Sequence, residues 1–352
     1  MPEMEKRAKR EWIDGHIHVI EGGIRETEAL AARQAALGYT QSAFLSVEGM
    51  GDAAQNALAI YFKLLSPSHY AFGGLHYRFA YDFGKEAERL HQIGLDGIKM
   101  IENKPTERKK LGYAQNDVRY ESLYRTLCRL QMPLLVHVND PKSFWQAEKI
   151  PEWAAASGYY YGDGSYPSYE QILAETVDMA EKYPKLKVCF AHFLFLADEY
   201  ERLCGLMERF PNIRLDITAG TEMYFSFTER PALFRDFFLK YQDRIQFGTD
   251  NCNACSLEEA RNMEVVNRME QSFLESGERF AAWDKQVQGI CLPEEAVRKI
   301  TVDNFREFAQ ASPAKIDRKA AAVYLYERLR NPSYRLTARE RDIIWEVYEN
   351  CV

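Results

Sequence analysis

The sequence predicts an α/β fold, specifically a (β/α)8 TIM barrel, on three observations. Eight short β-rich runs recur, each followed by a stretch of helical periodicity, the pattern of repeated βα units around a parallel sheet. No G-x-G-x-x-G follows the first run, which weakens a doubly wound sheet as the runner-up. The chain has 352 residues, 46% of them hydrophobic and 28% charged, so composition and length are those of a globular protein with a sizeable core.

The elements follow in order. The first strand is read at Trp12 to Ile20, and Gly38 closes the first helix. The second strand runs from Ser42 to Glu48, and Asp52 precedes the helical AAQNALAIYFKLL. The third strand is Tyr70 to Tyr77, with its helix closed by Gly94, and the fourth is Leu95 to Ile101. Met132 to Asn139 is the fifth. After it, Asp140 to Pro167 carries Phe144, Trp145, Trp153, Tyr159, Tyr160 and Tyr161 and is long for a compact domain, so it is read as a partial lid. Ser168 and Gln171 form a capping box before ILAETVDMAEKY. Lys187 to Phe193, Ile213 to Thr218 and Arg244 to Thr249 complete the eight strands. Asn251 to Cys291 includes a further helical stretch, Leu292 to Ala309 is the final barrel helix, and Ser312 to Val352 is a helical tail on the outside or at a subunit contact. One domain is expected over 1–352, with a core barrel at about 12–309 and a C-terminal helical extension at 310–352.

Charge and cysteine usage narrow the partners. The formal charge of -7, from 45 basic and 52 acidic residues without a basic stripe, argues against nucleic acid. No run approaches the ~18 apolar residues of a membrane span, and Met1 to Glu11 is charged with no apolar signal segment behind it, so a cytoplasmic protein that does not engage a membrane is expected. Seven scattered cysteines are read as reduced thiols. Cys252 and Cys255 form a lone C-x-x-C, read as a loop carrying two cysteines because no second pair completes a zinc cluster.

Four of the seven histidines fall at strand ends. His16 and His18, in WIDGHIHV, are two apart and leave one face of a strand. His137 ends the fifth strand in PLLVHVND, His192 the sixth in KVCFAHF, and Asp250 follows the eighth in IQFGTD. In a closed barrel the first and eighth strands are neighbours, so His16, His18, His137 and Asp250 can converge on one mouth. Imidazole and carboxylate are the ligand set for zinc or a similar divalent ion, and such an ion brings the pKa of water toward ~7. Asp250 could bind the ion, accept the water's proton, or do both in turn. His192 could polarise the substrate or shuttle a proton. His69, His76 and His91 are read as structural.

DGHIH, GIKM, PLLVH, FAH and FGTD, with LPEEAVRKITVDNFREF in the last helix, resemble the amidohydrolase superfamily, in particular the branch that also contains non-oxidative decarboxylases. The resemblance runs from about Trp12 to about Ala309. It implies metal ligation by His16, His18, His137 and Asp250, with His192 catalytic or ligating a second ion, and a homo-oligomer. Lys99, in GLDGIKM, has three readings: a carboxylated lysine bridging two metals as in binuclear members, a cation holding a substrate carboxylate, or a partner of Glu102. Arg78 could clamp a carboxylate or form a surface salt bridge, and Glu222 and Tyr224 could line the pocket. The expected cofactor is one divalent ion rather than two, zinc ahead of manganese, and the expected partner is a small-molecule substrate. Three functions follow: a hydrolase of an amide, lactone or ester in a carboxylated substrate, a metal-dependent decarboxylase of an aromatic or unsaturated acid, and a non-catalytic metal-binding barrel.

Overall fold

The computed structural model describes residues 11–20, 22–219, 221–253, 256–283 and 285–352. Parallel strands β1 (Ile13–His18), β2 (Gln41–Leu45), β3 (Tyr70–Gly74), β4 (Gly97–Asn103), β5 (Leu134–Val138), β6 (Val188–Phe190), β7 (Ile213–Asp216) and β8 (Ile245–Gln246) lie side by side in chain order, with helices on the outside. Their near-continuous apolar runs reflect burial on both faces, as a parallel barrel requires. The eighth strand departs from the expected Arg244 to Thr249. It is regular over Ile245 and Gln246, where Leu215 pairs with Ile245, and resumes as β9 (Asn251–Cys252), which pairs with Ile17 and His18 of β1. Gly15 N donates to Phe247 O at 3.1 Å and Asp250 N to His16 O at 2.9 Å, so the ring closes between the last and first strands.

Inside the ring, Ile13, Ala43, Leu45, Phe72, Leu135 and Cys189 meet Phe305 and Phe308. These two phenylalanines come from the terminal helix, which runs over 294–308 with a π-helical stretch at Lys299–Asp303. Tyr70 meets the Phe305 ring edge-on at 5.1 Å between centroids. A larger apolar layer lies between the ring and the surrounding helices.

Local signals place most of the helix ends. Gly38 and Gly94 adopt φ of +95° and +101° just past their helices, where a side chain would be strained. Ser168 caps Tyr169–Lys182 by accepting from Gln171 N. Asp52 accepts from Ala54 N at 3.0 Å, and its helix begins at Gln55. The segment after β5 folds on itself: Phe144, Ala154 and Tyr161 form a small buried cluster with Trp145, Ile150, Tyr159 and Tyr166 packed around it. After β9 come the expected helix, Leu257–Glu275, and a hairpin that periodicity did not announce, β10 (Arg279–Ala282) with β11 (Lys285–Gln288).

The tail forms helices Arg318–Arg330 and Ala338–Cys351, packed on Phe83–Ile93 and Gln55–Leu65. Its anchor is Arg328, fully buried, whose guanidinium donates to Glu48 at 2.6 Å and Glu86 at 3.2 Å. Among the described residues no helix is long and apolar enough to cross a membrane.

Candidate metal centre

β1 carries a register shift between Asp14 and Ile17, and beyond it Ile17 joins the outer apolar layer while His16 and His18 turn to the barrel mouth. Bulges of this kind re-aim side chains beside functional sites. Asp14 fixes the turn from the other side. It accepts from Thr249 N and Oγ1 at 3.1 and 2.6 Å, from His16 N at 3.2 Å and from Gln34 at 2.9 Å. Burial pushes its carboxyl up to about 7, against these donors. Gly248 lets the two strands close: a Cβ there would lie 2.6 Å from that of His16. Asp250 then takes a left-handed φ of +56° and presents its carboxylate to the pair of histidines.

Ligand atoms of His16, His18 and Asp250 lie within 4.8 Å of one another, the group among the described residues with metal-ligand geometry. His16 Nε2 is 3.0 Å from His18 Nε2, and Asp250 Oδ1 is 3.6 and 3.3 Å from them. The other ring nitrogens decide the tautomers. His16 Nδ1 faces Asp216 Oδ2 at 2.8 Å, and His18 Nδ1 faces Leu45 O at 2.7 Å. A carboxylate and a carbonyl only accept, so both Nδ1 atoms carry the proton and both Nε2 atoms are left with lone pairs. Two lone pairs and a carboxylate at these separations repel, which Lys99 Nζ, 3.2 Å from His16 Nε2, relieves in part and a divalent ion among them would relieve further. The spacing is close to the ~3.3 Å edge of a tetrahedron with zinc–nitrogen bonds of about 2.0–2.1 Å. The donor set therefore fits a divalent ion.

Asp216, at the end of β7, is the residue that sequence reasoning missed. Its Oδ1 accepts from His192 N at 2.8 Å and Thr218 N at 3.3 Å while Oδ2 holds His16. Burial would raise this carboxyl, but His16 and His192 outweigh it and hold it at about 2. An ionised carboxylate behind a ligating imidazole fixes its tautomer and orientation. Position was the available signal: Asp216 occupies on β7 the strand-end level that histidines occupy on β5 and β6.

His137 and His192 stand beside the triad. The His192 ring centroid is 5.8 Å from that of His16 and 4.9 Å from that of His137. The expectation that His137 completes the ligand set is not met in this geometry: its Nε2 donates to Asn139 O at 2.8 Å and lies 3.3 Å from Asp140 Oδ1. Asp140 is in turn held by Lys104 and by Tyr161 OH at 2.6 Å, which ties the segment after β5 to this histidine. His192 Nδ1 donates to Thr218 O at 3.1 Å, leaving Nε2 as its acceptor. The four residues His192 to Phe195 all have positive φ, a left-handed turn that costs roughly 1–2 kcal/mol per residue. Asp216 on His192 N and Tyr169 OH on Phe195 O, at 3.0 Å, hold it.

Lys99 is buried with Nζ 3.2 Å from His16 Nε2, and burial brings its pKa down to about 8. Its pairing with Glu102 is not formed, because the β4 side chains alternate and Glu102 lies outside the ring near Tyr77 and Tyr120. Arg78 turns away from the mouth to Glu340, Tyr334 O and Gly51 O, so it fastens the C-terminal extension and does not clamp a substrate. Tyr224 is fully buried with its hydroxyl on Ile217 O at 2.7 Å, a core residue and not a pocket wall. Glu222 is half-buried in the first turn of Thr221–Glu229. Cys255 lies outside the described residues, as do Met1 to Arg10.

A closed parallel barrel with a His-X-His pair, a carboxylate after the eighth strand and a carboxylate-backed imidazole presents a candidate divalent-ion site at the carboxyl ends of its strands. The model of the family described as amidohydrolase matches residues 13–308, and the chain belongs to that family. No curated protein matches it. Among solved structures it is similar to an uncharacterised TIM-barrel protein from Bordetella bronchiseptica, at 14% identity over 86% of this chain and 99% of that one, TM-score 0.52. It is also similar to a 4-oxalomesaconate hydratase from Rhodopseudomonas palustris, at 14% identity over 91% and 100%, TM-score 0.51. A third is a 2,6-dihydroxybenzoate decarboxylase complexed with 2,6-dihydroxybenzoate, at 13% identity over 86% and 99%, TM-score 0.51. At these identities the likeness is one of fold.

Proposed function

We propose that the chain is a metal-dependent hydrolase acting on an amide, lactone or ester bond of a small carboxylated substrate, with one zinc or manganese ion on His16, His18 and Asp250. The observation that carries this reading is the pair of Nε2 atoms facing each other at 3.0 Å beside the Asp250 carboxylate. A bound ion supplies Lewis acidity toward a carbonyl oxygen and makes water more acidic. Asp250 has the exposure needed for proton handling: its side chain is 37% exposed, against 1% for His16 and 5% for His18. It takes a proton from the attacking water and returns it to the leaving group. His192, with its lone pair on Nε2, orients the substrate or relays that proton. Lys99 as a free ammonium supports a single ion and draws the substrate carboxylate toward the triad.

That same ammonium favours the second reading, a decarboxylase, since it would hold the group that is lost. The test is metal content per chain on protein purified without added metal, repeated for His16→Ala and Lys99→Ala, followed by product analysis. About one ion, lost in His16→Ala and kept in Lys99→Ala, supports the single-ion site. About two, falling with Lys99, supports a bridging carboxylated lysine, and no ion even after supplementation refutes both enzyme readings. Uptake of one water, giving two fragments from an open-chain amide or ester and a single ring-opened hydroxy acid from a lactone, marks hydrolysis, and carbon dioxide marks decarboxylation.

A further inference from the structure

The segment between β5 and the helix Tyr169–Lys182 has a small core of its own in Phe144, Ala154 and Tyr161, apart from the two larger clusters of the barrel. A unit cored in this way can open without unpacking the rest. It is seated on the helix Pro105–Leu111 through lysines. Lys109 Nζ lies 3.9 Å from the Tyr166 ring centroid and donates to Ser165 Oγ at 2.7 Å, and Lys104, just before that helix, lies 4.7 Å from the Tyr159 centroid. Tyr161 makes a different kind of contact. Its buried hydroxyl donates to Asp140 Oδ2 at 2.6 Å, while Asp140 Oδ1 lies 3.3 Å from His137 Nε2. Burial would raise the Asp140 carboxyl, but Lys104 and His137 outweigh it and keep it ionised. One carboxylate thus meets the segment with one oxygen and the barrel mouth with the other. From His137 the rings continue to His192 at 4.9 Å and from His192 to His16 at 5.8 Å.

We propose that Tyr161 is a positioning residue: through Asp140 it sets the imidazole of His137, so that seating of the segment and occupancy of the ion site bias one another. The inference rests on the proposed function, in that an ion is taken to bind at His16, His18 and Asp250. When Tyr161 leaves, Asp140 loses a donor that fixes its plane and turns toward Lys104, taking Oδ1 from His137. Such coupling is reciprocal: an ion that orders the imidazoles favours the seated segment by the factor by which the seated segment favours the ion.

The experiment is hydrogen exchange read by mass spectrometry on the full chain, with and without equimolar zinc, following peptides within 142–166. In wild type, zinc should slow exchange of the segment about fivefold or more. Tyr161→Phe, which keeps the ring in its cluster, removes a bond to an ionised acceptor, so the segment should exchange about tenfold faster or more and lose its response to zinc. Lys109→Met loosens the seat without touching Asp140, so its segment should exchange faster and still respond to zinc, a separation that a merely structural Tyr161 would not produce. Circular dichroism should be unchanged in both variants. A wild-type segment indifferent to bound zinc, a response that survives in Tyr161→Phe or is lost equally in Lys109→Met, or loss of the fold in Tyr161→Phe overturns the assignment of Tyr161 and leaves the ion-site reading standing. Failure of wild type to retain zinc overturns that reading, and the inference with it.

Discussion

Asp216→Asn isolates what the carboxylate behind His16 contributes. In the native site Oδ1 serves two backbone donors, His192 N and Thr218 N, and Oδ2 receives His16 Nδ1–H. An amide can keep the first job with its oxygen, so the fold around His192 survives. It must then present its NH2 to His16 Nδ1, which forces the imidazole proton onto Nε2, the atom that faces His18 and Asp250. Ion binding now has to reverse that tautomer against a donor and without the buried negative charge. Losing such a partner typically weakens metal affinity 10- to 100-fold, about 1.4–2.7 kcal/mol. Competition against a chelator of known zinc affinity measures this, with His16→Ala as the floor. A change below about threefold in a protein with unaltered circular dichroism would refute the tautomer reasoning.

Two further outcomes concern stability. Arg328→Met leaves Glu48 and Glu86 buried without their cation, which costs about 3–5 kcal/mol. With about 2.1 cal/mol/K of unfolding entropy per residue over 352 residues, the melting temperature should fall by roughly 4–7 °C, and a fall under about 2 °C by scanning calorimetry would show that the triad is not a net anchor. For Glu340, burial would raise the carboxyl, but Arg78 and the N–H groups of Thr337 and Ala53 hold it at about 2. A carboxyl depressed in the folded state contributes stability that is full above its ordinary value of 4.5 and is lost as pH falls through about 2. Arg78→Ala should narrow that window from below, so urea unfolding at a series of pH values should give converging curves for variant and wild type below pH 4.5, whereas parallel curves would contradict the pairing.

The barrel was legible because buried parallel strands read as short apolar runs, and because the histidines that end them mark one rim. The last strand was the exception, since Gly248, Thr249 and Asp250 break its regularity to reach Asp14 and His16, and no local pattern encodes a long-range hydrogen bond. The triad was legible for the same positional reason, but ring rotation was not: His137 sits at the expected strand end while its Nε2 answers to Asn139 and Asp140. Arg78 and Tyr224 follow strands, as pocket residues do, yet their directions are set by partners remote in sequence, Glu340 and the outer core. Asp216 carries no motif of its own in NIRLDIT and gains its meaning from His16, two hundred positions earlier.

The anchoring of Glu48 by Arg328 also orders events during synthesis. A ribosome adds residues from the amino end, and domains generally acquire structure in that direction. Here His18, whose ring leans on Leu45, must wait for Asp250 before its cluster exists, and the loop just past Leu45 must wait for Arg328, which emerges still later. A nascent chain that has released everything the family model spans, up to residue 308, therefore still holds Glu48 and Glu86 without their counter-charge. The counter-charge for Glu48, just past β2, and for Glu86, in the helix after β3, is thus supplied by the extension and not by the barrel.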